Sequence, residues 1–226
     1  MSGTHPATAK AALREHLRRH PVVTEVQLAR RGWTQAAAWL DLPYVTLDVR
    51  TQVTQPTSQT PVTFVSAEER SLEVPPRELL HAACLAETAT RLEGLRPEWR
   101  DGEYAYVTCG GRMQGVRPDA EVIVDVASRT SDIAVEVDTG YGHGVRTRKY
   151  TAFAGQGYGE VVWATTIHGR VQAVAAEVRE WHGLGHMPGI RRVTVCYVDV
   201  HRRGDPYAPR RRLHKVSHVD VPLRAG

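Results

Sequence analysis

The stretch RPDAEVIVDVASRTSDIAVEVDTGYGHGVRTRKY, residues 117–150, decides how this chain is read. Residues 118–126 and 133–138 each alternate apolar and polar side chains around Ser128-Arg-Thr-Ser131, which predicts two paired strands. Successive side chains of a strand point to opposite faces. Val122, Val124 and Val126 therefore share a face with Ile133, Val135 and Val137. The other face carries Asp119, Glu121, Asp125, Glu136 and Asp138, interrupted only by Ile123. A two-residue slip of register preserves these faces, whereas a one-residue slip scrambles them. Like-charged carboxylates on one face repel, and are tolerated when water solvates them or a cation binds. The strand is thus read either as a water-facing surface or as a site for a hard divalent cation such as Mg²⁺, which prefers carboxylate oxygen.

The residues just after the second strand favour the site. Gly140-Tyr-Gly-His-Gly144 lets the backbone turn into a helix expected over 144–154. On it Arg146 is the i,i+3 neighbour of Lys149 and the i,i+4 neighbour of Tyr150, so the three share a face. That face reads as a solvated basic patch or as a phosphate contact. Lys149 is one of three lysines, with Lys10 and Lys215, among 29 Lys and Arg residues. A compact ammonium approaches an attacking water or a scissile phosphate in a way that a guanidinium fork does not. Upstream, Glu87 lies near the apolar stripe of a helix expected over 76–92, one turn from Cys84. A carboxylate there needs a partner, either a metal site or an arginine.

Outward from this stretch the chain alternates. Short strands are expected at 104–109, 161–167 and 192–200, and an amphipathic helix at 170–182 carries Val171, Val174, Ala175, Val178 and Trp181 on one stripe. The order αβββαβαβ implies an α/β domain layered around one sheet, over residues 75–200. The preceding segment, 1–68, reads differently. Helices are expected at 7–19, 25–31 and 35–40, with Thr24 and Thr34 as caps, followed by strands at 44–49 and 61–65. Three helices and a hairpin is the winged-helix order, in which the third helix enters the major groove. The same order suits a plain scaffolding or dimerisation unit, and Gln35-Ala-Ala-Ala-Trp-Leu40 lacks basic side chains.

At Pro118-Asp119 and Glu136-Val-Asp138 the sequence resembles the PD-(D/E)XK nucleases. The resemblance implies a restriction-endonuclease-like αβββαβ core behind a winged-helix-like front. It implies that Asp119 and Glu136 hold Mg²⁺ or Mn²⁺, with Asp138 and Glu87 in support. The motif's lysine, two residues after its second acid, is here Asp138. Members with a displaced lysine carry it on the next helix, where Lys149 stands. Leu80-His81, Arg117-Pro-Asp-Ala120, Glu136-Val-Asp-Thr-Gly140 and Lys149-Tyr150 also resemble the replication-relaxation family of plasmid and mobile-element proteins. That likeness spans roughly residues 24–167 and implies a role in DNA replication, relaxation or cleavage.

Composition agrees without deciding. The 226 residues carry 29 cations against 25 acids, a net charge of +4, which suits DNA as a partner. Arginine dominance also follows from codon usage. The segment 201–226 reads as a basic tail, with Arg210, Arg211 and Arg212 contacting phosphate alongside Arg146 and Arg148, or as a solvated end. Three scattered cysteines form no CxxC pair, and no apolar run reaches the ~18–20 residues of a membrane span, so a cytoplasmic setting without membrane is expected. His182-Gly-Leu-Gly-His186 has zinc spacing but its glycines disfavour a helix, and Gly155-Gln-Gly-Tyr-Gly159 lacks a phosphate-loop lysine. The expectation is a DNA-binding protein of a plasmid or mobile element with a metal-dependent nuclease-like domain, acting in DNA replication, relaxation or cleavage; if active it is a Mg²⁺-dependent endonuclease, working as a homodimer if both strands are cut. The alternatives are a catalytically inactive DNA-binding regulator of replication or transcription on the same fold, and a protein-interaction subunit that touches no nucleic acid.

Overall fold

The computed structural model describes residues 5–51, 58–96, 104–109, 116–124, 133–208 and 216–223. The chain is mixed α/β and divides into two compact units. One comprises residues 1–87 with 199–206, the other 88–198 with 207–226.

The first unit begins with α1 (Pro6–Arg19), started by proline and capped by His5, whose ring accepts the Ala7 N–H. Ala9, Leu13 and Leu17 recur every four residues and are its buried stripe. Strand β1 (Val22–Thr24) leads directly into α2 (Glu25–Arg30). The Gln27 N–H donates to Thr24 Oγ1 at 3.2 Å, and the Thr24 N–H donates to Gln27 Oε1 at 2.8 Å, a reciprocal capping box. Thr24 Oγ1 also donates to the Val200 carbonyl at 2.6 Å. Thr24→Ala removes a cap and a buried hydrogen bond together. It should lower the urea unfolding free energy by about 1–2 kcal/mol, read as a shift in midpoint at unchanged slope.

Gly32, at φ +70°, turns the chain towards α3 (Thr34–Trp39). Strands β2 (Tyr44–Arg50) and β3 (Gln59–Ser66) come next and pair antiparallel, with Thr46 opposite Thr63. β1 pairs with the other edge of β3, so the sheet order is β1-β3-β2. Ala9, Leu13, Leu17, Val23, Leu28, Ala36, Val65 and Ala86 form the core of this unit. The three-residue β1 is absent from the sequence-based expectation, because it is too short to show a period of two.

The division between units falls within α4 (Pro76–Leu95). The second unit is a six-stranded sheet in chain order: β4 (Ala105–Thr108), β5 (Ala120–Ile123), β6 (Ile133–Asp138), β7 (Glu160–Thr165), β8 (Arg192–Tyr197) and β9 (His218–Pro222). β4, β5 and β6 are antiparallel neighbours, β6–β7–β8 run parallel, and β9 is antiparallel to β8. Parallel neighbours require crossovers. These are α5 (His143–Gly155) and α6 (Val171–Gly183).

One face of this sheet packs Ala134, Val161, Trp163, Val193, Val195 and Tyr197 against Tyr150 and Phe153 of α5 and the Val171–Trp181 stripe of α6. Trp163 stacks on Tyr150 with ring centres 4.7 Å apart. On the other face, Arg96 after α4 donates to Thr194 at 3.4 Å and forms an ion pair with Glu160 at 2.7 Å. All six residues of β6 are buried.

That burial removes the first of the two readings of the acidic face in β6. The alternation of β6 is present, but its acidic face is not water-facing: Glu136 and Asp138 are 0% exposed. A strand covered on both sides normally reads as a continuous apolar run. The strand expected over 118–126 is shorter, and Asp125 lies outside the described residues. The segment read as a basic tail contains β9, whose Val221 reaches the core, while 199–206 belong to the first unit. Arg210, Arg211 and Arg212 fall outside the described residues.

Candidate functional site

The pairing of β5 with β6 sets Ala120 opposite Val135 and Val122 opposite Ile133. Asp119 stands just before β5, at the end of this register. The Asp119 N–H donates to the Val135 carbonyl at 2.9 Å, which ties this residue to β6. The charge of Asp119 acts on the Glu136 carboxyl, so the two acids form a neighbouring pair of like charge. Asp119 is fixed by a hydrogen bond from the Val137 N–H to its Oδ2 at 2.8 Å.

α5 crosses this face and brings Lys149 down onto it. Lys149 Nζ lies 2.5 Å from Glu136 Oε1, with the lysine side chain 16% exposed and the glutamate side chain 0%. Glu136 Oε2 is buried and makes no hydrogen bond to any described residue. Burial pushes the Glu136 carboxyl well above the usual carboxylate range. The charge of Asp119 raises it further, and Lys149 opposes both. Sequence separations of 17 residues (Asp119 to Glu136) and 13 (Glu136 to Lys149) are thus closed by strand register and by helix crossing.

Asp138, expected beside Glu136 as metal support, is committed elsewhere. Its Oδ1 accepts the N–H groups of Gly140 at 2.6 Å and Tyr141 at 2.5 Å, and its Oδ2 accepts the Trp163 indole N–H at 3.3 Å. Arg170 lies 3.9 Å from Oδ2. Asp138 therefore holds the turn between β6 and α5.

Glu87, the other supporting acid, belongs to the first unit. Its Oε2 accepts from Gln27 at 2.9 Å and lies 3.2 Å from Arg30, the arginine partner left open by its sequence position. Arg146, expected on phosphate, is buried. Its guanidinium grips both oxygens of Glu177, at 2.9 and 2.6 Å, and donates to the Tyr141 carbonyl at 2.5 Å. Arg148 is exposed on α5. The i,i+3 rule puts Arg146 beside Lys149 correctly, but cannot see an acid 31 residues away.

Sequence reasoning passes over Tyr141. Its ring centre lies 5.4 Å from Lys149 Nζ, and its edge meets Trp163 at 6.3 Å. Burial, then the charges of Glu136 and Asp119, push its phenol far above the usual range. The signal in the sequence is Asp138-Thr-Gly-Tyr141, an Asx-turn pattern in which a carboxylate binds N–H groups two and three residues on.

Among the described residues no group of three or more His, Cys, Asp or Glu side chains is arranged to hold a metal ion. Asp119 and Glu136 nevertheless suit Mg²⁺, which retains several waters and commonly takes only one or two protein carboxylates. An ion there would also satisfy the orphaned Glu136 Oε2 and relieve the repulsion between the two acids. No helix among the described residues is long and apolar enough to cross a membrane. No protein-family model, no curated protein and no solved structure matches the chain.

Proposed function

We propose that this is a DNA-binding protein with a metal-dependent nuclease-like site, acting on plasmid or other mobile-element DNA. The observation that carries the reading is the convergence of the buried Glu136 carboxyl and the half-buried Asp119 with the ammonium of Lys149. Two topologies support it. The first unit's order α1-β1-α2-α3-β2-β3, with sheet order β1-β3-β2, is that of a winged helix. The run α4-β4-β5-β6-α5-β7, with three antiparallel strands and a parallel fourth, has the αβββαβ order of restriction-endonuclease-like cores.

Asp119 and Glu136 are the residues that would hold the divalent cation. When bound, such an ion polarises a phosphodiester and lowers the pKa of a coordinated water. The chain's own groups divide the remaining work. The Val137 N–H fixes Asp119. Lys149 opposes the upward push of burial and of Asp119 on the Glu136 carboxyl and offers an ammonium to negative charge developing on phosphate. Arg148, exposed on the same helix, neutralises a neighbouring phosphate, as do Arg210, Arg211 and Arg212 on this reading.

A second reading is a DNA-binding regulator without cleavage. The observation favouring it is Asp138, which stands in the motif's lysine position and whose oxygens are taken by the turn. Incubation of supercoiled plasmid with protein and Mg²⁺ or Mn²⁺ separates the two readings by nicking or its absence. A mobility-shift titration tests both. Binding should weaken steeply between about 50 and 200 mM salt, by about tenfold or more if several phosphates are neutralised. No shift at low salt removes DNA as the partner and leaves the protein-interaction reading.

A further inference from the structure

We propose that Asp138 and Tyr141 form a positioning unit for Lys149, in which Asp138 fixes the turn at Gly140–Tyr141 and the turn lays the Tyr141 ring against the lysine ammonium. The proposal rests on the nuclease-like reading of the site and assigns a role to the residue that departs from the motif.

The turn is over-determined. Gly140 sits at φ +133°, a backbone conformation that favours glycine. Asp138 Oδ1 receives two consecutive N–H groups, from Gly140 and Tyr141, within 2.6 Å. The Tyr141 carbonyl receives Arg146 at 2.5 Å and Arg170 at 3.0 Å. Arg146 is itself locked by Glu177. The Tyr141 backbone is thus held at both its N–H and its carbonyl, and its ring is held edge-on by Trp163.

Lys149 needs such a wall. A lysine side chain has a flexible four-carbon stem and about 2 kcal/mol of rotamer entropy, so one ion pair at a partly exposed position does not confine it. The Tyr141 ring, 5.4 Å from Nζ, offers its negative face to the ammonium from a direction other than Glu136. Glu136 and Tyr141 together define one position for the charge. In the motif a lysine would project from position 138 itself. Here the carboxylate at 138 shapes the turn that receives a lysine arriving from α5.

The test uses the whole protein without DNA or metal. Only three lysines are present, so ¹³Cε-lysine labelling gives three side-chain signals, and Lys149→Arg identifies the one of interest. Nuclear Overhauser contacts from the Lys149 ε-protons to the Tyr141 ring protons are expected in the unaltered protein. Their absence overturns the proposal, whatever the variants do. The Lys149 ε-protons should also be displaced upfield by the ring. Tyr141→Phe should keep that displacement and Tyr141→Leu lose it. Asp138→Asn retains an acceptor for the turn and should preserve it, whereas Asp138→Ala should not. Equal spectra for Tyr141→Leu and the parent overturn the proposal. Plasmid nicking is scored separately. Ring contacts without nicking retain the positioning unit and sink the nuclease reading; nicking without ring contacts does the reverse.

Discussion

Glu136→Gln will abolish metal-dependent nicking of plasmid DNA while leaving the fold intact, with a fall in rate on the order of 10²–10³-fold or more. The magnitude comes from the several kcal/mol that metal-centred charge stabilisation contributes to a hydrolytic step, at about 1.4 kcal/mol per tenfold. Asp119→Asn should do the same. The stability effect of Glu136→Gln is the discriminating part. A buried carboxyl pushed upward by burial and by Asp119 opposes folding in its charged form, and an amide of the same shape does not carry that cost. Removing the charge also leaves the Lys149 ammonium facing a neutral amide oxygen in place of its carboxylate partner at 2.5 Å. These terms oppose, so the urea midpoint should move little while activity disappears. A large loss of stability accompanying the loss of activity would mark Glu136 as a structural residue. Retained nicking would remove it from the site.

The second large effect is an acid sensitivity located in the first unit. His16 of α1 and His20, which caps the end of that helix, have ring centres 4.8 Å apart, and His16 packs on Trp33 at 5.2 Å. Burial, then the charge of Arg31 and other neighbouring groups, lowers His16 to about 3. Burial, then Arg19 and Arg31, lowers His20 to about 4. Both imidazoles are neutral in the fold. In the unfolded chain they take up protons below their ordinary value of 6.5. Their contribution is therefore complete above pH 6.5 and is lost as pH falls from 6.5 towards 4 and then 3. At about pH 5 the loss is on the order of 3–4 kcal/mol for the pair, at about 1.4 kcal/mol per group and pH unit. His201, also lowered chiefly by burial, adds in the same sense. Glu136 works against them, because a raised carboxyl binds a proton more readily folded than unfolded. The informative quantity is a difference. Urea unfolding of the parent and of His16→Gln/His20→Gln should diverge by that amount between about pH 7.5 and pH 5. Parallel curves would acquit the two imidazoles.

Where local chemistry sets structure, the sequence is legible. Thr24 as a cap announces α2, and the five apolar residues from Val171 to Trp181 announce α6. The carboxylate pair is legible too, because Asp119 and Glu136 fall on one face for any even register. The hidden features depend on partners distant along the chain. An acidic alternation reads the same whether water or a helix lies above it, and only the passage of α5 over β6 buries Glu136. Arg146 can be placed on the face of Lys149, but its commitment to Glu177 depends on how α5 packs beside α6. Asp138 reads as a charge, whereas its role in the turn comes from the N–H groups it meets. β9 lies beyond an arginine-rich stretch whose composition resembles a free end.

The interleaving of the two units along the chain has a consequence for biosynthesis. Residues 199–206 complete the first unit, yet they are made only after β8 of the second. Thr24 Oγ1 donates to the Val200 carbonyl, and Arg30 donates to the Asp199 carbonyl. Both donors belong to the N-terminal end of the chain and wait for acceptors about 170 residues downstream. A nascent chain on the ribosome therefore cannot finish its N-terminal unit first, which is the usual order for tandem domains. It carries that unit incomplete until most of the sheet has emerged, and no single cut in the gene yields both units whole.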